Sequence, residues 1–165
     1  MKHLISMCVF FMGLLPTGAY AERIVVVNFS TATLTVTDGA QTVMQTAVVL
    51  PRGNYYPVPV QGTVTRSEMG PKWTPTANMH RDKPRYYKQS YKGYEKGNAM
   101  GHCKISINFD IAHKILPYVR IHGNAKEKDL GLRRSRSCIR IPNNLCQELV
   151  DATAGHQNVR VHFIH

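Results

Sequence analysis

The sequence predicts a mainly β domain, and three observations carry that reading. Runs of β-branched residues recur from Arg23 onward, each bounded by turn residues. Proline and glycine punctuate residues 51–100 so densely that no helix is expected there. One stretch, about 143–154, has helical spacing together with end signals. At 165 residues, 43% of them hydrophobic and 19% charged, the chain has the makings of one globular core and is too short for two.

The elements follow in order. Arg23-Ile24-Val25-Val26-Val27-Asn28-Phe29 reads as a strand, and Thr31 to Thr37 alternates around Leu34 and Val36 as a second. Asp38-Gly39 is a hairpin signal, because glycine accepts the positive φ of a tight turn. Thr42 to Leu50 returns as a third strand and completes a meander. Gly62-Thr63-Val64-Thr65 is a short strand within the turn-rich region. Residues 81–96 carry six basic side chains and four tyrosines. They read either as a solvated loop or as a surface for an anionic, sugar-bearing ligand.

Cys103 to Phe109 alternates as a strand, and Tyr118 to His122 is another that ends at Gly123. Residues 124–137 are polar and basic, which predicts a loop. Cys138-Ile139-Arg140-Ile141 is compact and apolar and is stopped by Pro142. Asn143 or Asn144 is expected to cap a helix through about Ala154, with Cys146, Leu149 and Val150 on one face and Gly155 at its end. Asn158 to Ile164 forms a last strand. No repeat or linker divides residues 22–165, which read as one domain.

Residues 1–21 read as a secretory signal peptide. Met1-Lys2-His3 is basic, Leu4 to Leu15 is apolar, Pro16 to Gly18 breaks the run, and Ala19-Tyr20-Ala21 is a small-x-small cleavage site. Cleavage is expected after Ala21. The apolar stretch is too short for a stable membrane span. Neither GxxxxGK[ST] nor GxGxxG occurs, so a phosphate-cradling nucleotide site is not expected. The formal charge of +11 then suits an anionic partner outside the cytoplasm rather than nucleic acid, such as a cell-wall polymer or lipid headgroups.

Removal of residues 1–21 takes away Cys8 and leaves Cys103, Cys138 and Cys146. An odd count in an exported chain leaves at least one thiol unpaired within the chain. Cys103 and Cys146 are expected either to bridge or to lie buried as free thiols. Cys138 stands among Arg134, Arg136 and Arg140, and nearby positive charge favours thiolate over thiol. His122 lies 15 intervening residues upstream and supplies a base that titrates near neutrality. The alternative is a buried structural cysteine beside a solvated basic loop. No HExxH occurs, and His162-x-x-His165 at the chain end reads as incidental, so no metal or cofactor is expected.

His122-Gly123 followed by Ser135-Arg136-Ser137-Cys138-Ile139-Arg140 resembles the signature of the L,D-transpeptidase catalytic domain family: a His-Gly, a loop of this length, then Ser/Thr-x-Gly-Cys-hydrophobic-Arg/Asn. Tyr56 to Thr63 resembles that family's proline-and-glycine stretch, Pro71-Lys72-Trp73-Thr74-Pro75 its Pro-x-Trp-x-Pro element, and Gly97 to Gly101 its Asn-small-Gly segment. The likeness covers nearly all of 22–165. One position departs from it: Ser137 stands where the family has glycine, which puts the oxyanion-hole geometry in question.

The resemblance implies a β-sandwich-like fold with a small helical element near the C-terminus. It implies acyl transfer on peptidoglycan tetrapeptide stems, with Cys138 as nucleophile and His122 as general base. Gly123 would orient the imidazole through its carbonyl, Ser137 and Cys138 would offer backbone N–H groups to the oxyanion, and Ser135 would brace the loop. Arg136 and Trp73 would contact substrate, and Arg140 would either steer a substrate carboxylate or brace the cysteine's strand. The acceptor could be a second stem, giving a 3→3 cross-link, or a wall-linked protein. Water as acceptor would make the chain an L,D-carboxypeptidase or amidase, and loss of catalysis would leave a wall-binding relative. The expected location is the periplasm, and carbapenems are expected to acylate the thiol.

Overall fold

The computed structural model describes residues 22–83 and 87–165, so the expected signal peptide lies outside the described residues. Strand β1 is Arg23–Asn28, β2 Thr33–Asp38 and β3 Gln41–Ala47, the expected meander. Gly39, at φ 57°, is the first residue of the tight loop between β2 and β3. The two-residue β4 is Leu50–Pro51, and β5 runs from Val60 to Met69, well beyond the four residues expected. Helix α1, Ala77–Asp82, occupies the region where the prolines excluded one. It survives because it begins just after Pro75, with the Thr76 hydroxyl accepting from the Met79 N–H as an N-cap.

Strand β6 is Cys103–Phe109 and β7 Arg120–His122. The expected loop at 124–137 contains a further strand, β8, Arg133–Ser135, followed by β9, Ile139–Arg140. Helix α2 is Cys146–Thr153 and β10 is Arg160–Ile164. Cys146, Leu149 and Val150 are buried as their spacing requires, and Gly155 follows the helix at φ 73°. Neither Asn143 nor Asn144 caps this helix. Residues 143–145 form a 3-10 turn, and the Asn143 side chain is engaged elsewhere.

Eight strands form one mixed sheet in the order β3-β2-β1-β10-β5-β6-β7-β9, and β4 and β8 form a separate parallel pair. The sheet curls until its edges meet. Val49, just past the edge strand β3, exchanges both backbone hydrogen bonds with Arg140 in the opposite edge strand β9, at 2.9 and 3.0 Å. Alternate residues point inward along each strand: Val25 and Val27, Leu34 and Val36, Cys103, Ile105 and Ile107, Val161 and Phe163 are all buried. Phe29, Tyr56, Phe109 and Phe163 pack ring to ring at one end of that core. No helix among the described residues is long and apolar enough to cross a membrane.

Cys103 of β6 and Cys146 at the start of α2 are joined by a disulfide across a sequence separation of 43, and Cys138 is free. Closing a loop of that length removes chain entropy from the unfolded state, worth about 4 kcal/mol in the chain-entropy description. The double variant Cys103→Ala/Cys146→Ala is therefore expected to lose about 2–4 kcal/mol of unfolding free energy in denaturant melts. Thiol titration of denatured, unreduced 22–165 should find a single reactive group, and three would contradict the bridge.

Candidate active site

The site is built on the pairing of β7 with β9. The two run parallel, with Ile121 opposite Ile139 and His122 opposite Arg140. Ile121 and Ile139 are fully buried on the core side. Side chains alternate along a strand, and residues in register share a face. His122 and Arg140 therefore project from the opposite face, and Cys138 stands in the bend immediately before β9. The resemblance's base thus ends β7, and its nucleophile immediately precedes the neighbouring β9.

The His122 ring is 2% exposed. Its Nδ1 lies 2.8 Å from the Gly123 carbonyl. A carbonyl can only accept, so Nδ1 carries the proton and Nε2 keeps its lone pair. Burial pulls the imidazole down to about 4. The Arg140 guanidinium pushes the same way, and the Gly123 and Met100 carbonyls oppose it. His122 is neutral at neutral pH.

The half-buried Cys138 thiol donates to the Tyr118 carbonyl at 3.7 Å. Here the sequence expectation needs correction. Burial raises the thiol above its ordinary value, and this outweighs the Arg120 amide, the Ser137 hydroxyl and the guanidinium charges of Arg120 and Arg140, all of which favour thiolate. Positive charge is present, but desolvation of the anion dominates. Cys138 thus rests as a neutral thiol and His122 as a neutral imidazole.

The backbone around the sulfur is fixed on both sides. The buried Ser135 hydroxyl donates to the Cys138 carbonyl. The Tyr56 hydroxyl donates to the Ser137 carbonyl at 3.0 Å. Ser137 is not among the residues with positive φ, so serine meets no backbone strain there. Gly123 is a different matter. A Cβ on it would lie 2.4 Å from Asn143 Oδ1, 2.9 Å from the His102 nitrogen and 3.0 Å from Cys146 Sγ. Asn143 Oδ1 fills that space, accepting from His102 N at 3.1 Å and Asn124 N at 2.8 Å.

The arginines separate into two settings. Arg140 is half-buried against the thiol, and its Nε has no hydrogen-bond partner. Arg136 is exposed and lines a cavity of about 490 Å³ with Arg52, Tyr55, Ile115, Tyr118 and Ser137. That cavity adjoins the nucleophile's loop through Ser137 and through Tyr118, whose carbonyl holds the thiol. Trp73 is not brought to the cavity. It pairs with Tyr91 through a β-bridge and packs on Tyr91 and Tyr87, within its own segment. Among the described residues no group of three or more His, Cys, Asp and Glu is placed to hold a metal ion. Tyr56, Arg52 and Tyr118 were not singled out as site residues from sequence, and Asn143 was read only as a helix cap. Each acts through a contact distant in the chain or through its backbone, and neither leaves a local pattern.

A family model for the L,D-transpeptidase catalytic domain matches residues 22–161. No curated protein matches the sequence. Among solved structures, an L,D-transpeptidase from Mycobacterium smegmatis shares 13% identity at a TM-score of 0.57, covering 88% of this chain and 59% of that one. L,D-transpeptidase 3 from Mycobacterium tuberculosis, in complex with a faropenem-derived adduct, shares 13% identity at 0.61, covering 88% and 61%. The catalytic domain of the Enterococcus faecium L,D-transpeptidase, acylated by ertapenem, shares 15% identity at 0.59, covering 89% of this chain and all of that domain. At such identities the likeness is one of fold, and the chain spans 59% or less of the solved chain of the M. smegmatis enzyme and of two others. The match that carries membership is the family model, which runs through His122, Gly123, Ser135 and Cys138 and leaves only four C-terminal residues of the domain uncovered; by it, the chain belongs to the L,D-transpeptidase catalytic domain family.

Proposed function

We propose that the chain is an exported, periplasmic cysteine L,D-transpeptidase acting on peptidoglycan tetrapeptide stems. The observation that supports this most directly is a buried imidazole at the end of β7, its tautomer set by the Gly123 carbonyl, with the one free thiol among the described residues immediately before β9, the strand paired with β7. In this reading His122 Nε2 takes the thiol proton as Cys138 Sγ attacks the carbonyl of the third stem residue. The tetrahedral oxyanion is met by backbone N–H groups at Ser137 and Cys138. The C–N bond to D-Ala breaks, His122 returns the proton to the departing amine, and a thioester remains. An amine of a second stem then displaces the thiolate and forms a 3→3 cross-link; an amine on a wall-linked protein is the other acceptor. The exposed Arg52 and Arg136 at the cavity suit the carboxylates of a stem peptide.

Incubation of 22–165 with tetrapeptide muropeptides is expected to release D-Ala and to give a mass adduct on Cys138, and ertapenem should acylate the same sulfur. Cys138→Ala should abolish both, and retained activity in that variant would overturn the assignment. The product mixture separates cross-linking from hydrolysis.

The pH dependence follows from the His122 shift. A base held near 4 stays competent well below the ordinary imidazole value, so the acid limb of kcat/KM should fall near pH 4 rather than 6.5. Stability also falls on acidification, but over a higher pH window. The unfolded chain takes up the His122 proton near 6.5 while the folded one resists until about 4. Folded stability is therefore complete above pH 6.5 and declines between those values, by about 3 kcal/mol in all. Denaturant melts from pH 7.5 to 4, run beside His122→Asn, check this: the wild-type midpoint should drop more steeply than the variant's.

A further inference from the structure

Tyr56 stands far from the thiol in sequence yet touches its loop. Its ring is 6% exposed and wedged beside Phe29 and Phe163, with centroids at 6.3 and 6.1 Å. That packing leaves the hydroxyl one direction, and it donates to the Ser137 carbonyl at 3.0 Å. The peptide between Ser137 and Cys138 is a rigid plane, and across a trans peptide the N–H points opposite to the C=O. Holding the Ser137 carbonyl therefore also sets where the Cys138 N–H points. That N–H belongs to the residue whose sulfur attacks, so it lies within reach of the oxygen on which charge develops. The next carbonyl, that of Cys138, is held separately by Ser135. Each peptide flanking the nucleophile thus has its own anchor.

Resting on the transpeptidase reading, we infer that Tyr56 is a positioning residue for the oxyanion hole: its hydroxyl locks the Ser137–Cys138 peptide so that the Cys138 N–H faces the developing oxyanion. Burial, with the nearby thiol, raises the phenol well above its ordinary range, so the hydroxyl remains a donor and takes no part as a base. The role requires only the oxygen. Phenylalanine fills the same space between Phe29 and Phe163 and releases the peptide.

Two reactions of one sulfur separate this role from general support. In acylation by ertapenem, Sγ bonds to the β-lactam carbonyl carbon, an oxyanion forms, the ring C–N bond breaks, and the nitrogen receives the proton that the thiol gave up. In alkylation by iodoacetamide, Sγ displaces iodide from a saturated carbon and no oxyanion forms. Tyr56→Phe is expected to lower the first-order acylation rate by about 10- to 100-fold, short of the full loss of a donor, with saturation by ertapenem little changed. Its alkylation rate should stay within about threefold of wild type, with an unchanged circular dichroism spectrum. Equal losses in both reactions, or no loss in either, would overturn the role. A wild-type thiol that is acylated by ertapenem but releases no D-Ala from tetrapeptides would sink the transpeptidase reading, and the two rates would still decide Tyr56. A wild-type thiol that alkylates but is never acylated would overturn both.

Discussion

Parallel strands cannot be joined by a tight turn, and the site rests on that constraint. The crossover between two parallel neighbours takes a dozen residues or more. His122 ends β7 and Cys138 precedes β9, and 15 residues separate them. That interval is what the chain needs to leave the sheet, pair β8 with β4, and re-enter alongside β7 in the same direction. The spacing in the signature is thus the length of a crossover. Shortening it would break the parallel pairing that seats the thiol's bend beside the chain entering β7. Strand β9 is only two residues long, so it depends on support from both sides: β7 on one, and the Val49 bridge that closes the curled sheet on the other.

Burial then decides how the pair rests. A thiol ringed by arginines invites the expectation of a thiolate. The sulfur is sheltered enough that losing water costs the anion more than the guanidinium charges return, and the imidazole is pressed toward neutrality by the same shelter. The proton therefore stays on sulfur until a carbonyl arrives to be attacked. This arrangement also suits the proposed location, because oxidants attack thiolates in preference to thiols. The Arg140 charge acts on both groups in the same sense, favouring proton loss from sulfur and disfavouring proton gain by the ring, and in both it is smaller than the effect of burial.

What could be read from the sequence was what depends on neighbours in the chain. The meander, the Gly39 turn, β6, the buried face of α2 and its Gly155 ending all follow from period and turn chemistry. The Cys–His signature was legible through its resemblance to the family rather than through period or turn chemistry. Helix α1 escaped because six residues after a proline carry too little periodicity to outweigh the prolines around them, although Thr76 was a legible cap. Strand β8 escaped because Arg133-Arg134-Ser135 has no apolar alternation; its pairing with β4 is a tertiary fact. Asn143 was assigned to the helix it precedes, when its side-chain oxygen binds backbone N–H groups 41 and 19 residues away. Tyr56 escaped for the same reason, its contact with Ser137 spanning 81 residues.

The two glycine positions of the signature turn out to be under different physical demands in this chain. The residue before the nucleophile would need to be glycine for a positive φ or for want of space, but Ser137 has no positive φ, and its carbonyl and side chain find partners in Tyr56 and the thiol. The residue after the base has no such freedom. Gly123 keeps an ordinary φ, yet its missing side chain is where Asn143 Oδ1 sits, with the Cys103–Cys146 disulfide directly behind. Through that contact the start of α2 bears on the backbone whose carbonyl holds His122 Nδ1. Any Cβ at 123 would push either the asparagine or the carbonyl, and with the disulfide fixing one side, the carbonyl is the part left to move. Serine is therefore admissible beside the nucleophile, whereas the glycine beside the base is fixed by packing.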